Sequence, residues 1–209
     1  MRSGQRPARR RAGRRRDRSA AQPSLARRGS VKRWAALLRG VNLGGRSLLS
    51  ADLKAITESL GYTRIETLLA SGNVVFDSRD EPGTIERKLE AALLDHGLKT
   101  DVIVRDLAEM QAVIAANPYP EAVLDHPSHM LVTFHRDSFP PEALERLAAL
   151  HEGPELLHAT GRELYSDFRS QMGMRESRLP GAMKKAKFPA IATARNWNTV
   201  GKLAAMLAR

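Results

Sequence analysis

Apolar positions along the chain alternate between continuous runs and helical spacing. Residues 33–39 are mostly apolar and end at Gly40, which predicts a buried strand. Ser50 follows as an N-cap, with Leu53, Ile56 and Leu60 at helical spacing and Gly61 as the stop. Residues 64–70 and 73–77 read as strands joined by a tight turn at Ser71-Gly72. A helix over 82–96 places Ile85, Leu89, Ala92 and Leu93 on one face and ends at Gly97. A strand at 100–105 completes a βαββαβ order, the split βαβ or ferredoxin-like unit.

A bridging helix over 107–116 carries Leu107, Met110 and Ile114, and residues 117–128, with Pro118, Pro120 and Pro127, read as a linker. The same order then recurs over 129–209. A strand covers 129–135, a helix 141–150, and a hairpin joins 155–159 to 162–168 around Gly161. A helix within 176–187 and a short strand at 189–193 follow. The last helix starts near Asn196 and buries Trp197, Val200, Ala204 and Leu207. The expectation is an α+β protein of two ferredoxin-like halves, 31–116 and 129–209, that share a pattern and no sequence identity. Several strands (Ala35 to Leu38, Val74 to Phe76, Val102 to Val104) are apolar on both faces, so the two halves should pack together, or the chain should dimerise.

Charge divides the chain unevenly. Eleven of its 34 Lys and Arg residues and one of its 23 acids lie within residues 1–30, which leaves 23 basic against 22 acidic groups beyond. All but one unit of the net +11 therefore belongs to a tail, and the rest of the chain is almost neutral. That tail lacks apolar periodicity and is expected to be disordered. It reads as a phosphate-binding arm, a targeting segment or a mis-assigned start with the true beginning near Val31, the last being favoured because the globular pattern opens at Val31-Lys32-Arg33-Trp34. The chain has no cysteine, which excludes disulfides and thiolate chemistry. No apolar run reaches the roughly 18 residues of a membrane span, and a cytoplasmic location is expected.

Three loops concentrate the candidate chemistry: Arg39 to Gly45, Ser71 to Asn73, and Arg195 to Thr199. In a split βαβ half, the exit of the first strand and the turn between the second and third lie on one edge of the sheet. Gly40, Gly44, Gly45 and Gly72 permit close backbone approach, and Asn42, Ser71 and Asn73 suit polar turns. Successive N–H groups there can cradle an anion, with Arg39 as a bidentate donor. Alternatively these are structural turns, and Arg39 pairs with a carboxylate such as Glu66. Asn196 caps the last helix, whose N-terminus, with Arg195 and Asn198, favours anions. The candidate ligand-binding set is thus Arg39, Gly40, Asn42, Gly44, Gly45, Ser71, Gly72, Asn73, Arg195, Asn196 and Asn198. No catalytic residue can be named.

Other signals are weaker. Gly40 to Ser47 imitates a phosphate-binding P-loop, but Leu48 and Leu49 separate it from the helix it would have to enter directly. His126 and His129 lack a third ligand besides Asp125, so no metal is expected. Lys184, Lys185 and Lys187 read as a solvated helix face, and Ser177 has no partner base.

The segments Trp34 to Gly45, Ala70 to Phe76, Val104-Arg105, Ala116 to Tyr119, Gly161 to Tyr165, Ser177 to Leu179 and Thr193 to Val200 together resemble a bacterial family catalogued as domain of unknown function 1697. The likeness spans about residues 32–207. It implies a cytoplasmic α+β protein of two plait-like halves, and no established activity, cofactor or catalytic residue. The chain departs from the family pattern at Leu68-Leu69, where a tyrosine is common. It departs again at Gly173 to Glu176, where glycines are usual, at Arg178 in place of lysine, and at Ala194 in place of threonine.

The leading expectation is a small protein, monomeric or homodimeric, that binds a small anionic ligand at the sheet edge without a cofactor. A nucleic-acid-binding protein is the first alternative. It is disfavoured outside the basic tail because no strand interleaves aromatic and basic residues. An unrecognised enzyme acting on a phosphorylated or carboxylated metabolite is the second, and whether the protein is an enzyme stays open.

Overall fold

A computed structural model describes residues 30–41, 48–68, 72–140 and 142–209. The arginine-rich stretch over 1–29 lies outside them. The first half runs β1 (Lys32–Leu38), α1 (Ser50–Ser59), β2 (Thr63–Leu68), β3 (Asn73–Ser78), α2 (Pro82–Asp95) and β4 (Val102–Asp106). Its strands form an antiparallel sheet in the order β2-β3-β1-β4. Then come α3 (Leu107–Ala115) and α4 (Pro120–Asp125). The second half runs β5 (Met130–His135), α5 (Ala143–Leu150), β6 (Leu156–Thr160), β7 (Glu163–Asp167), α6 (Gln171–Glu176), α7 (Leu179–Lys185), β8 (Ala192–Asn196) and α8 (Trp197–Leu207). Its sheet repeats the order as β6-β7-β5-β8, also antiparallel. The α+β architecture of two four-stranded halves is the one expected.

Four local readings change. The segment 117–128 carries the helix α4, started by Pro120 at its first turn, where a missing N–H costs nothing. The single helix expected within 176–187 is two short ones, α6 and α7, broken at Ser177-Arg178. The last strand is shifted to 192–196, so Arg195 is a strand residue and not part of a loop. Ser50 does not cap α1. The cap position is Leu49, without a side-chain bond, and the Ser50 hydroxyl meets that of Thr67 in β2.

Strand alternation sorts the core into layers. Trp34, Ala36 and Leu38 of β1 face α1 and α2, where Leu53, Ile85 and Leu89 close a first cluster. Ala35 and Leu37 face the other way, with Val75 and Ile103, onto a central cluster shared by both halves. Val132, Phe134 and Tyr165 enter it from the second sheet, and Met110 of α3 and Leu203 of α8 fill it between. A third cluster lies on the outer face of the second sheet, under α5 and α7. The doubly apolar strands are thus explained within one chain: each half covers the inner face of the other. Separating the halves would expose side chains worth about 1.5–3 kcal/mol each when fully buried.

The turn before β3 shows how tightly the first sheet edge is built. Gly72 has φ +65°, and a Cβ there would lie 2.0 Å from Val41 Cγ2 and 3.3 Å from Leu38 Cβ. Gly72→Ala should therefore cost about 2–4 kcal/mol, combining left-handed strain with displacement of Val41. Urea unfolding at constant slope would read it, and a loss below about 0.5 kcal/mol, the scale of a neutral surface change, would contradict it.

Candidate functional site

The exit of β1 and the turn entering β3 are adjacent. Leu38 N donates to Gly72 O at 2.9 Å, and Leu37 pairs with Asn73 in register. Of the residues expected on this rim, Asn42, Gly44, Gly45 and Ser71 lie outside the described residues. Gly40 sits at the strand exit with φ +61°. Arg39 extends from the same point, half-exposed, and its guanidinium pairs with Asp101 at 2.9 Å. Glu66, the expected partner, is held instead by Arg33 and Arg209.

Asn73 and Arg195 meet, but in an interlock between the halves. The Arg195 side chain stands on the inner face of β8, opposite Val132. Its Nε donates to Asn73 Oδ1 at 2.7 Å. One terminal nitrogen donates to Thr193 Oγ1 (2.7 Å) and Ala194 O (2.8 Å), the other to Leu38 O (2.8 Å) and Gly72 O (3.3 Å). A guanidinium has five N–H donors, and all five are engaged. Burial pushes the Arg195 pKa down to about 10, which still leaves it charged at neutral pH. Asn73 Nδ2 completes the knot by donating to Leu68 O at 3.0 Å.

Asn196 caps α8 as expected, accepting from Thr199 N at 3.0 Å and Thr199 Oγ1 at 2.9 Å. It pairs with Leu131 at the start of β5. Asn198 is exposed on the first turn of α8. Neither makes a bond to the rim. The structure therefore gathers Arg39, Gly40, Gly72, Asn73 and Arg195, and leaves Asn196 and Asn198 apart.

A residue missed from sequence repeats the arrangement in reverse. Arg105 occupies in β4 the place Arg195 holds in β8, and is 1% exposed. Its terminal nitrogen donates to His135 O at 2.7 Å, at the end of β5, as Arg195 does to Leu38 O at the end of β1. Its Nε donates to Glu163 Oε1 at 3.1 Å, as Arg195 Nε does to Asn73. Glu163 and Asn73 are equivalent, each opposite the penultimate residue of the central strand, Phe134 or Leu37. Burial lowers the Arg105 pKa against the raising effect of Glu163. The following residues, Asp106 and Asn196, each cap the next helix. The signal was available: Val104-Arg105-Asp106 and Ala194-Arg195-Asn196 match in type at corresponding strand-to-helix junctions.

A roomy candidate ligand space lies elsewhere, on the outer face of the second sheet. A cavity of about 610 Å³ separates that face from α7 and the segment before β8. The sheet contributes Thr133, Ser166 and Ala194, whose small side chains stand where larger ones would fill the gap. Leu179, Met183 and Phe188 form the opposite wall. Ser166 is 1% exposed, and its Oγ has no hydrogen-bond partner. A buried hydroxyl left unpaired costs about 1–3 kcal/mol. Two cations reach the lining, Arg39 from the first half and Lys184 from the last turn of α7. Lys184 has no ion pair among the described residues, whereas Arg39 has Asp101. Ser177, also on the lining, is fixed by Glu155 and accepts from Leu179 N at 3.0 Å, which makes it a structural hydroxyl. Among the described residues no group of three or more His, Asp or Glu side chains could hold a metal ion, and no helix is long and apolar enough to cross a membrane.

Two four-stranded α+β halves, locked by reciprocal arginines and hollowed under α7, define a two-sheet protein without a metal-ligating cluster among the described residues. The chain belongs to the family described as protein of unknown function (DUF1697), which matches residues 31–165. Among solved structures, it is similar to a conserved bacterial protein, SP0830 from Streptococcus pneumoniae, with 22% identity and a TM-score of 0.67. That likeness covers 85% of this chain and 99% of the other, and it shows the fold. No functionally curated protein matches the chain.

Proposed function

We propose that this protein binds a small anionic molecule with an apolar body in the cavity under α7. The observation that carries the reading is the Ser166 hydroxyl, buried and unpaired beside a mostly apolar space of about 610 Å³ whose polar lining includes Arg39 and Lys184. That volume is within the range of ordinary small-molecule sites, which are mostly apolar with a few convergent polar groups. A ligand polar atom reaching Ser166 would relieve the desolvation cost, and Lys184 and Arg39 would meet the anionic end. The sheet-edge expectation thereby keeps Arg39 and shifts its centre, because every donor of Arg195 is taken. Binding of single-stranded nucleic acid on an open sheet is less well supported, since both faces of each sheet are covered and Trp34, Phe76, Phe134 and Tyr165 are buried. A cytoplasmic, monomeric or homodimeric protein belongs to the same reading.

Thermal shift of the full chain with decanoate tests it, with decanol as the neutral control. Decanoate should stabilise the protein, and Ala194→Trp, which fills the cavity, should abolish the shift. Lys184→Glu should weaken binding about tenfold, a change of about 1.4 kcal/mol. An unchanged shift in Ala194→Trp would remove the cavity from the proposal, and equal binding of decanol would remove the anion.

A further inference from the structure

A second cavity, of about 450 Å³, opens between α4 and the end of β7 and shares no lining residue with the first. It holds a histidine–carboxylate pair that no sequence motif announced. His126, at the residue following α4, places Nε2 2.8 Å from Asp167 Oδ1. Asp167 ends β7, is 5% exposed, and accepts a second bond from Arg169 N at 2.9 Å. A carboxylate held by two donors is an acceptor, so Nε2 carries the proton and the Nδ1 lone pair is left without a protein donor among the described residues. Tyr119 and Arg169 line the same space. Burial, with the Asp167 charge nearby, raises the Tyr119 pKa and keeps its hydroxyl a donor. Arg169 is held at φ +59°, a costly backbone for a non-glycine residue, and its guanidinium has no ion pair among the described residues. Tyr119 is itself positioned through its backbone N–H, which donates to Asn117 Oδ1 at 3.0 Å.

We propose that this pocket hydrolyses small carboxylic esters, with His126 as general base, water as nucleophile, and Tyr119 and Arg169 as oxyanion donors. Among the described residues no serine, threonine or cysteine lines the cavity, so the proposed nucleophile is water. A water proton passes to His126 Nδ1 as its oxygen bonds to the acyl carbon, and the carbonyl π pair moves onto oxygen. The oxyanion then collapses, the bond to the alkoxy oxygen breaks, and the alkoxide takes the proton back from Nδ1. Ester and water become acid and alcohol with no change of oxidation state. Asp167 is a positioning residue that fixes the tautomer and the ring. General-base assistance of this kind contributes about 10²–10⁴-fold.

The experiment is hydrolysis of 4-nitrophenyl acetate by the full 209-residue chain. The parent should exceed free imidazole at equal histidine concentration. His126→Gln should lower kcat/KM about a hundredfold while the other five histidines remain. Asp167→Asn should lower kcat at unchanged KM, a split that mere loosening would not give. Arg169 is exposed, so Arg169→Ala keeps the fold and decides the matter should the other variants unfold; it should lower kcat at least tenfold. A parent rate no better than imidazole, or full activity in either His126→Gln or Arg169→Ala, would overturn the proposal.

Discussion

Arg195→Ala is expected to destabilise the protein by about 3–5 kcal/mol, with the loss spread over both halves. The substitution deletes five hydrogen bonds whose acceptors are Asn73 Oδ1, Thr193 Oγ1 and the carbonyls of Leu38, Gly72 and Ala194. The region is closed to water, as Asn73 and Leu38 are fully buried and Arg195 is 5% exposed. Removing one side of a buried polar contact costs more than the bond itself, because the partner stays desolvated. In a chain of this size about 1 kcal/mol moves the midpoint by about 2–4 °C, so thermal unfolding should fall by about 10 °C. Arg195→Lys should recover less than half, since an ammonium has three donors at one point and cannot span acceptors on β1, β3 and β8. The midpoint of urea unfolding measures both variants. A loss below about 1 kcal/mol, a typical single-mutation effect, would show that the knot is not what joins the halves.

That knot also shows how far the sequence could be read. Elements with long, clean periodicity were legible. Ile85, Leu89 and Leu93 recur at helical spacing and form α2, and the apolar strands β1, β3 and β4 face two layers because both their faces are apolar. Short elements were not. The helices α6 and α7, of 6 and 7 residues, are too brief to establish a period, and Gly173 and Pro180 within them read as breakers. The strand β8 extends past the expected 189–193 because Arg195-Asn196, residue types at home in a loop, continue its pairing with β5. A buried arginine in a strand is intelligible only with its acceptors, and Asn73 lies 122 residues away. The meeting of the β1 exit with the β3 turn could be anticipated, because strand order alone dictates it. The occupation of Arg195 could not.

The two cavities were illegible for the same reason. Ser166 is one polar residue in a short, mostly buried strand, and nothing local says that the side chains above it leave a gap. His126 and Asp167 are 41 positions apart, on elements whose approach depends on how α4 settles against β7. The sequence pair His126 and His129 is a ring stack with centroids 6.2 Å apart, and the hydrogen-bonding neighbour of His126 is Asp167.

The reciprocal lock predicts an asymmetric outcome at its other end. Arg105 is paired with Glu163, whose side chain is 13% exposed, so Arg105→Met leaves a nearly buried carboxylate without a counter-charge. It also leaves His135 O without the donor it holds at 2.7 Å. Breaking one partner of a buried pair costs about 3–5 kcal/mol. Removing both is a different perturbation: in Arg105→Met with Glu163→Leu no charge stays stranded, and apolar volume joins a surrounding of Ala35, Phe134 and Tyr165. Such paired replacements are often neutral or stabilising. The double variant should therefore recover more than about 2 kcal/mol of the single variant's loss, seen as a coupling energy in a double-mutant cycle. Arg195 offers no equivalent rescue, because its acceptors are mostly backbone carbonyls that no substitution deletes. If the Arg105 pair proved additive within about 0.5 kcal/mol, the ion pair would be incidental and the His135 carbonyl the true anchor. Strong coupling would mean that the two halves are joined by one ion-paired arginine and one arginine held by uncharged acceptors in corresponding places, with only the ion pair replaceable by apolar side chains.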